Sequence, residues 1–308
     1  MFTNKQLKGM WVSVPTEWDE DDNFDEESFR DVTAKLIDVG AHGLYTTGST
    51  GEFYALDWEE YKQVTDAFLA ETQGRVPVQI GANWFNTRDT IRRVRYARDK
   101  GTDGVQICFP GWMSMPVDHY DQFFVDIYQA VPDISLVHYN TARTKKQFYG
   151  LDYARVASQV PTLVATKACL SVNEFLTLVT YAPQMCHYAG ELDFALCHQL
   201  GATGMITSWF MMNPDFFHNY YRMCTEGRYS EAIAVAKRLT KWFTEAVLPL
   251  FQKGYMDPTL DKAFIAMAGW LGGNRRTRRP YIGLTEEECS QLRRVTERIM
   301  PEFLSYKN

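Results

Sequence analysis

The segment VPTLVATKAC, at residues 160–169, combines a short apolar, β-branched run with a lysine near its end. A run of this kind predicts a fully buried β-strand. An ammonium group at the inner end of such a strand is costly unless it is paired or neutral. Because burial lowers the pKa of a lysine, Lys167 is a candidate nucleophile that forms a Schiff base with a carbonyl compound. The alternative is a lysine just past the strand end, with its ammonium group in water.

Predicted strands and helices alternate on both sides of this segment. Apolar runs predict strands at residues 9–14, 42–47, 76–82, 104–109, 134–139, 160–169, 185–189 and 203–208. Between them apolar residues recur at helical spacing, as Phe29, Val32 and Leu36 do. About eight strand–helix units in succession are typical of parallel βαβ topology, and eight such units close into a (β/α)8 TIM barrel, an α/β fold.

The strand signals stop near the end of the eighth unit. Helical patterns continue at residues 216–224, 229–252, 258–271 and 285–303. We therefore expect residues 1–212 to form the barrel and residues 213–308 to form a C-terminal helical region packed on it. The acidic segment at residues 17–27 and the basic loop at residues 272–280 are both expected to be solvated.

The composition of the chain limits which binding partners and which cell compartment are expected. A net charge of −6 over 308 residues and a pI near 5.6 argue against nucleic acid or an anionic membrane as the partner. Residues 1–5 do not resemble a signal peptide and no apolar run reaches the length of a membrane span, so we expect a cytoplasmic protein. The six cysteines include no Cys-x-x-Cys pair, so neither a zinc site nor a disulfide framework is expected.

Residues able to catalyse a reaction or bind a ligand follow several of the predicted strands. In such barrels the active site lies at the carboxyl ends of the strands. In the GSTGE loop at residues 48–52, glycines allow close backbone approach, and Ser49 and Thr50 offer donors to a carboxylate, although an ordinary turn has the same composition. Tyr139 ends the fifth strand, where its hydroxyl either carries a proton or caps the core in water. Near Ile206, at the end of the eighth strand, a backbone carbonyl is expected to face the site.

The order and spacing of these residues resemble the pyruvate-dependent aldolase superfamily of dihydrodipicolinate synthase and N-acetylneuraminate lyase. The resemblance covers nearly the whole chain. Residues 48–52 are similar to the family's Gly-Thr/Ser-Thr-Gly-Glu loop, and residues 139–140 to its Tyr-Asn pair. Lys167 falls at the family's Schiff-base lysine, and Gly190 resembles the glycine that opens the loop after strand seven.

The resemblance implies a metal-independent carbon–carbon lyase of the class I aldolase type. Lys167 forms an imine with a 2-oxo acid, so that no cofactor is needed, and Tyr139 is the general acid–base. The residues expected to bind the substrate are Gly48, Ser49, Thr50, Trp112, Asn140, Arg143, Gly190 and Ile206. The expected partners are a small 2-oxo acid or aldehyde and three further copies of the chain, in a homotetramer.

Departures from the synthase pattern concern the part of the substrate beyond pyruvate. Synthases carry a Pro-Tyr-Tyr stretch after strand four, whose second tyrosine reaches the neighbouring subunit's site, whereas residues 110–113 are PGWM here. They also place an arginine five residues after the strand-five tyrosine, but Arg143 lies four residues after Tyr139. Their Gly-Asp-Asp is Gly-Glu-Leu at residues 190–192.

Trp112 instead resembles a subgroup, the hydratase-aldolases that act on benzylidenepyruvates and carry a Pro-x-Trp stretch at this point. Residues 268–271 and 279–281 also resemble their C-terminal part, whereas their Tyr-x-Asn is YNT here. Trp84, Phe85 and Trp209 are further aromatic residues that suit a flat apolar substrate end, or else pack in the core or at a subunit interface.

The sequence therefore favours hydration and retro-aldol cleavage of an arylidene-pyruvate to an aldehyde and pyruvate. Within the same fold, a 4-hydroxy-tetrahydrodipicolinate synthase and a sugar-acid aldolase or dehydratase are the alternatives. A relative without catalytic activity, which only binds a 2-oxo acid, is a third.

Overall fold

The computed structural model describes residue 2 and residues 6–307, so the expectation about a signal peptide at residues 1–5 lies largely outside it. Within these residues eight strands form a closed barrel in chain order, and all neighbouring strands are parallel. The strands are β1 Gly9–Ser13, β2 Gly43–Thr46, β3 Val78–Gly81, β4 Gly104–Ile107, β5 Ser135–Asn140, β6 Leu163–Ala168, β7 Cys186–Ala189 and β8 Gly204–Thr207. The predicted (β/α)8 barrel is confirmed.

Helices follow the strands in the predicted order. Those between and after the strands are α1 Glu26–Asp38, α2 Trp58–Thr72, α3 Thr87–Asp99, α4 Val117–Ala130, α5 Gly150–Ala157, α6 Val172–Tyr181, α7 Phe194–Leu200 and α8 Pro214–Thr225. The remaining helices are α9 Tyr229–Trp242, α10 Leu248–Gln252, α11 Asp257–Ala268 and α12 Glu286–Ile299. Trp242 of α9 packs edge-on against Trp209 after β8, with ring centroids 5.0 Å apart. The division of the chain at residue 212 remains a prediction.

The barrel interior has its own apolar core, which fixes where the candidate catalytic residues lie. Val137 of β5 and Ala165 of β6 belong to this inner cluster. Side chains two residues apart along a strand point the same way. Tyr139 and Lys167, which are paired in the register of these two strands, therefore also face the inside, nearer its carboxyl-terminal mouth.

One predicted helix is interrupted. The helical pattern at residues 229–252 predicted a single helix, but a π-helical turn at Phe243–Val247 separates α9 from α10. Pro249 lies at the start of α10, and a proline both lacks a backbone N–H and clashes with the carbonyl four residues earlier. The regular helix therefore cannot continue through it, and the π turn absorbs the mismatch.

The prediction of a solvated acidic segment was wrong for its first residues. Glu17 and Trp18 are buried, and the Trp18 indole donates to Glu52 Oε1 at 3.0 Å. Burial raises the pKa of Glu17 to about 7, which Lys262 opposes. Lys262 Nζ also lies 2.8 Å from Glu52, and both side chains are fully buried. These contacts connect the loop after β2 to α11. The connection resists breaking because removal of one partner of a buried ion pair leaves an uncompensated charge.

The basic loop is not freely solvated either. Arg276 pairs with Glu20 at 2.8 Å, and Arg278 pairs with Glu60 at 2.5 Å. The loop therefore lies against the segment before α1 and against α2. This packing is a long-range property that the local composition of residues 272–280 did not reveal.

The remaining observations concern cysteines, metals and membranes. All six cysteines are free, and Cys108, Cys197 and Cys224 are buried. Among the described residues, no cluster of three or more His, Cys, Asp or Glu side chains is arranged to hold a metal ion. In the same part of the chain, no helix combines the length and the apolarity that a membrane crossing requires.

Candidate active site

Lys167 lies at the carboxyl end of β6, in a cavity of about 550 Å³ at the mouth of the barrel. Its Nζ donates to the Tyr45 hydroxyl at 3.1 Å and lies 4.3 Å from the centroid of the Tyr139 ring. The side chain is thus surrounded by two phenols rather than extended into bulk water. This position differs from that of a lysine that only leaves the strand end for solvent, and the role of Lys167 as the nucleophile remains a prediction.

The protonation state of Lys167 depends on its two tyrosine neighbours. Burial is the largest influence on the pKa of Lys167 and lowers it, but the negative charges of ionised Tyr45 and Tyr139 raise it, and the net shift is upward. Burial, however, raises the pKa of Tyr139 to about 12 and that of Tyr45 above its usual value. At neutral pH both phenols are therefore protonated, and burial remains as the influence that favours the neutral amine of Lys167. The lowering of the Lys167 pKa that the sequence predicts therefore applies only while Tyr45 and Tyr139 are both protonated.

The loop after β2 brings hydroxyl groups to the same place. Ser49 Oγ lies 3.4 Å from the Tyr139 hydroxyl, and Thr50 lines the cavity that contains Lys167. A Cβ added to Gly51 would lie 2.4 Å from the backbone nitrogen of Thr47, so only glycine fits there. The loop is therefore held against the strand end, with the Thr50 hydroxyl in the cavity of Lys167 and Ser49 beside Tyr139 in the lining of a second cavity.

Tyr139 and Asp257 line two cavities. The first contains Lys167, and the second, of about 360 Å³, does not include the lysine in its lining. Nearly half of the residues that line the second cavity are aromatic, namely Phe53, Tyr54, Trp84, Phe85, Phe109, Trp112, Tyr139 and Tyr281. The predicted aromatic residues Trp84, Phe85 and Trp112 are therefore brought together, whereas Trp209 lines the first cavity instead.

Arg143 lines the second cavity but is already paired. Its guanidinium makes two hydrogen bonds to Asp257, of 2.6 and 2.9 Å, and its Nη1 lies 3.5 Å from the Tyr139 hydroxyl. The hydrogen bonds to Asp257 raise the pKa of Arg143, so its guanidinium stays charged. Arg143 therefore lies beside Tyr139 as part of an ion pair. It is not a free cation that could bind a substrate carboxylate.

Two of the predicted binding residues, Asn140 and Gly48, lie outside the lining of both cavities. Asn140 is buried, and its side-chain amide is hydrogen-bonded to the backbone of Phe148. Its Nδ2 donates to the Phe148 carbonyl at 2.7 Å, and its Oδ1 accepts from the Phe148 N–H at 3.0 Å. It fastens the segment after β5 and does not line either cavity. A Cβ on Gly48 would face Gln106 at 3.4 Å, toward the barrel interior, and Gly48 also lines neither cavity. Gly190 and Ile206, in contrast, do line the first cavity.

Four carboxyl groups that line the first cavity were not predicted, those of Glu191, Asp193, Asp257 and Asp261. Glu191 accepts the backbone N–H of Ser208 at 3.0 Å, and burial raises its pKa. Asp261 of α11 accepts the Thr50 hydroxyl at 2.7 Å, and burial raises its pKa to about 7. The sequence offered only a weak signal for Asp261, since Asp257 and Lys262 are also charged in this helix and the partner of Asp261 is 211 residues away.

Comparison with known proteins gives consistent matches. The sequence profile described as the dihydrodipicolinate synthetase family matches residues 6–299. A trans-O-hydroxybenzylidenepyruvate hydratase-aldolase of Sphingobium xenophagum is 32% identical, but over only 52% of this chain and 51% of that protein. A 4-hydroxy-tetrahydrodipicolinate synthase of Methanosphaerula palustris is 30% identical over 85% of this chain and 88% of that protein. The solved dihydrodipicolinate synthase of Aquifex aeolicus superposes with a TM-score of 0.87 at 22% identity, covering 98% of this chain and all of that one, which shows a shared fold.

Proposed function

Because this chain belongs to the dihydrodipicolinate synthetase family, whose members are pyruvate-dependent lyases that work through a Schiff base, we propose that it hydrates an arylidene-pyruvate and cleaves the product to an aldehyde and pyruvate. The observation that carries this choice of substrate is the second cavity, which is rich in aromatic side chains and includes Tyr139 but not Lys167 in its lining. The coarser activity, a class I aldolase reaction on a 2-oxo acid, follows from the family.

The first chemical step is imine formation. The neutral amine of Lys167 attacks C2 of the 2-oxo acid, and the resulting carbinolamine loses water to give an iminium ion. The Tyr139 phenol, which is protonated at neutral pH, donates the proton that the departing hydroxide needs. Ser49 and Thr50 hold the substrate carboxylate, which is positioned by hydroxyl donors rather than by a cation.

The iminium ion then acts as an electron sink. Water adds at C4 of the conjugated iminium ion and gives a proton to the Tyr139 phenolate, which leaves an enamine, and return of that proton to C3 restores the iminium ion and completes the hydration. The Tyr139 phenolate then takes the proton of the C4 hydroxyl, the C3–C4 bond breaks, the aldehyde leaves, and the bonding electrons move into the iminium to give an enamine. Protonation at C3 and hydrolysis release pyruvate and restore the Lys167 amine.

The aromatic cavity suits the aryl end of the substrate. Tyr139 lines both cavities, so a bond that breaks beside it separates a pyruvate half near Lys167 from an aldehyde half on the aromatic side. Burial of an aryl group there is favourable at about 25 cal/mol per Å² of apolar area removed from water. Aspartate semialdehyde gains nothing comparable, and its carboxylate meets an Arg143 that Asp257 already neutralises.

A second candidate is the cleavage or dehydration of a sugar acid. The first cavity is lined by the carboxyl groups of Glu191, Asp193, Asp257 and Asp261, which can accept hydrogen bonds from substrate hydroxyl groups. We rank it below the aryl substrate because it leaves the second cavity without a function. A screen for pyruvate release over benzylidenepyruvates and 2-keto-3-deoxygluconate, together with the aspartate-semialdehyde condensation, separates the three. Highest kcat/KM for a benzylidenepyruvate supports the proposal, and preference for either of the others overturns it.

Replacing Trp112 by alanine tests the aryl site. The side chain lines the second cavity and is 75% exposed, so its removal should cost substrate contact rather than core packing. Loss of about 60 Å² of apolar contact corresponds to about tenfold in kcat/KM. We expect that loss for benzylidenepyruvate, with pyruvate imine formation nearly unchanged.

Met113→Ala is the matched control for this variant. Met113 is the next residue, is 69% exposed and lines neither cavity, so its truncation should leave kcat/KM within about twofold of the parent. Equal losses in the two variants, or no loss for Trp112→Ala, would remove Trp112 from the substrate site.

We also propose that the chain assembles as a homotetramer. Support comes from the family resemblance and from exposed apolar side chains near the second cavity, where Phe85 is 50% and Trp112 75% exposed. Sedimentation at micromolar concentration should give four times the chain mass of 35.6 kDa. A stable monomer would contradict the assembly without affecting the chemistry at Lys167.

A further inference from the structure

Asp261 lies in the cavity beside the hydroxyl that is expected to hold the substrate carboxylate. It is 3% exposed, its Oδ2 lies 2.7 Å from Thr50 Oγ1, and the Ser208 side chain is its other hydrogen-bond partner. Lys262, the next residue, pairs with Glu52 instead. Within residues 6–307 no ion pair to Asp261 is formed, so this buried carboxyl has polar partners without a neutralising cation.

The contact between Thr50 and Asp261 creates a conflict that depends on protonation. A threonine hydroxyl has one hydrogen to donate. If Asp261 is ionised, it takes that hydrogen, and Thr50 presents only lone pairs to an arriving carboxylate, next to a second negative charge. If Asp261 is protonated, it donates to Thr50 Oγ1, and the Thr50 hydrogen is free for the substrate.

We propose that Asp261 is a positioning residue that acts through Thr50, and that the 2-oxo acid binds to the form of the enzyme in which Asp261 carries a proton. This inference rests on the proposed function, because it requires a substrate carboxylate beside Thr50. Asp261 thereby makes substrate affinity fall as the pH rises through neutrality.

The charged and titratable surroundings of Asp261 favour its protonated form. Asp257 on the same helix and Glu191 after β7 both raise its pKa, whereas hydrogen bonds from Ser208 and Thr50 lower it. Across the cavity the pKa of Tyr45 is raised, so that group is neutral, and Lys167 is bonded to Tyr45 rather than to Asp261. With burial as the largest cause, the pKa of Asp261 is about 7, so both forms are present near neutral pH.

The sign of the pH dependence follows. Below pH 7 Asp261 is protonated in most enzyme molecules, and these bind the substrate carboxylate. Above pH 7 the fraction of enzyme with a protonated Asp261 falls with each unit of pH. The apparent dissociation constant is the intrinsic one divided by that fraction, so it should rise about tenfold or more between pH 7 and pH 8.5. The Lys167 amine acts in the opposite direction, since its deprotonation at higher pH promotes imine formation.

The experiment measures the apparent dissociation constant of pyruvate from pH 6 to pH 9, by borohydride trapping at graded pyruvate concentrations. Asp261→Asn cannot ionise but can still donate an N–H to Thr50, so it should bind pyruvate as the parent does at pH 6 and lose the rise above pH 7. Asp215→Asn, on the exposed side of α8, should behave as the parent throughout. Asp261→Val, an apolar substitution at a buried position, is the second variant if Asp261→Asn does not fold, and should also show no alkaline rise in the apparent dissociation constant.

The outcomes separate the inference from the function on which it rests. If the apparent dissociation constant of pyruvate rises above pH 7 equally in the parent and in the Asp261 variants, the proposed role of Asp261 is wrong. Formation of the adduct in the same experiment still supports the imine chemistry. Absence of any adduct on Lys167, at every pH and in every protein, overturns the proposed function itself.

Discussion

Replacing Lys167 by methionine is expected to reduce pyruvate release from an arylidene-pyruvate by more than about 10⁴-fold in kcat, because no imine can form. Methionine has a similar length and fills the space between Tyr45 and Tyr139, so the barrel should remain folded. The measurement is steady-state pyruvate release, with circular dichroism and thermal unfolding as checks on the fold.

The control for this variant is Lys241→Met, which removes a lysine from the exposed side of α9. It should keep full activity. Residual turnover in Lys167→Met within a hundredfold of the parent would show that the reaction proceeds without the imine, and the mechanism proposed above would then be wrong.

Replacing Tyr139 by phenylalanine is expected to lower kcat by roughly 10²–10⁴-fold, the usual contribution of a positioned general acid–base. The ring remains over Lys167, while the hydroxyl near Ser49 and Arg143 is lost. Carbon–carbon cleavage should suffer more than imine formation from pyruvate, because only cleavage needs a base at the C4 hydroxyl. Single-turnover kinetics separate these two steps.

Tyr153→Phe is the matched control for the loss of a buried phenol. Its hydroxyl bonds to His138 at 2.6 Å, behind the barrel wall and outside both cavities, so its removal should affect stability rather than turnover. If Tyr139→Phe also turned over at a near-normal rate, Tyr139 would be a structural residue, and the proton carrier would have to be sought elsewhere.

The barrel and its central residues were predictable because they follow from local periodicity. Apolar runs and helical spacing located the strands and helices, and strand parity places Tyr139 and Lys167 on the same inner face as Val137 and Ala165. The closed parallel barrel brings all carboxyl ends to one mouth, so Ser49 joined them there.

The contacts that the sequence did not reveal join segments that are separate in the chain. Helical periodicity shows that one face of α11 is buried, but not that Asp261 will meet a hydroxyl 211 residues earlier in the chain. The amide of Asn140 fits the family pattern, yet its partner is the backbone of Phe148. Glu17 lies in an acidic stretch, and only the fold brings Lys262 near it.

The central claim is that Lys167 forms the imine with pyruvate, and one measurement tests it directly. The protein is incubated with pyruvate and borohydride, digested, and analysed by mass spectrometry to locate the reduced adduct. We predict one adduct per chain, on Lys167, and none in the Lys167→Met variant. An adduct on another lysine, or no adduct in a protein that releases pyruvate, would contradict the account.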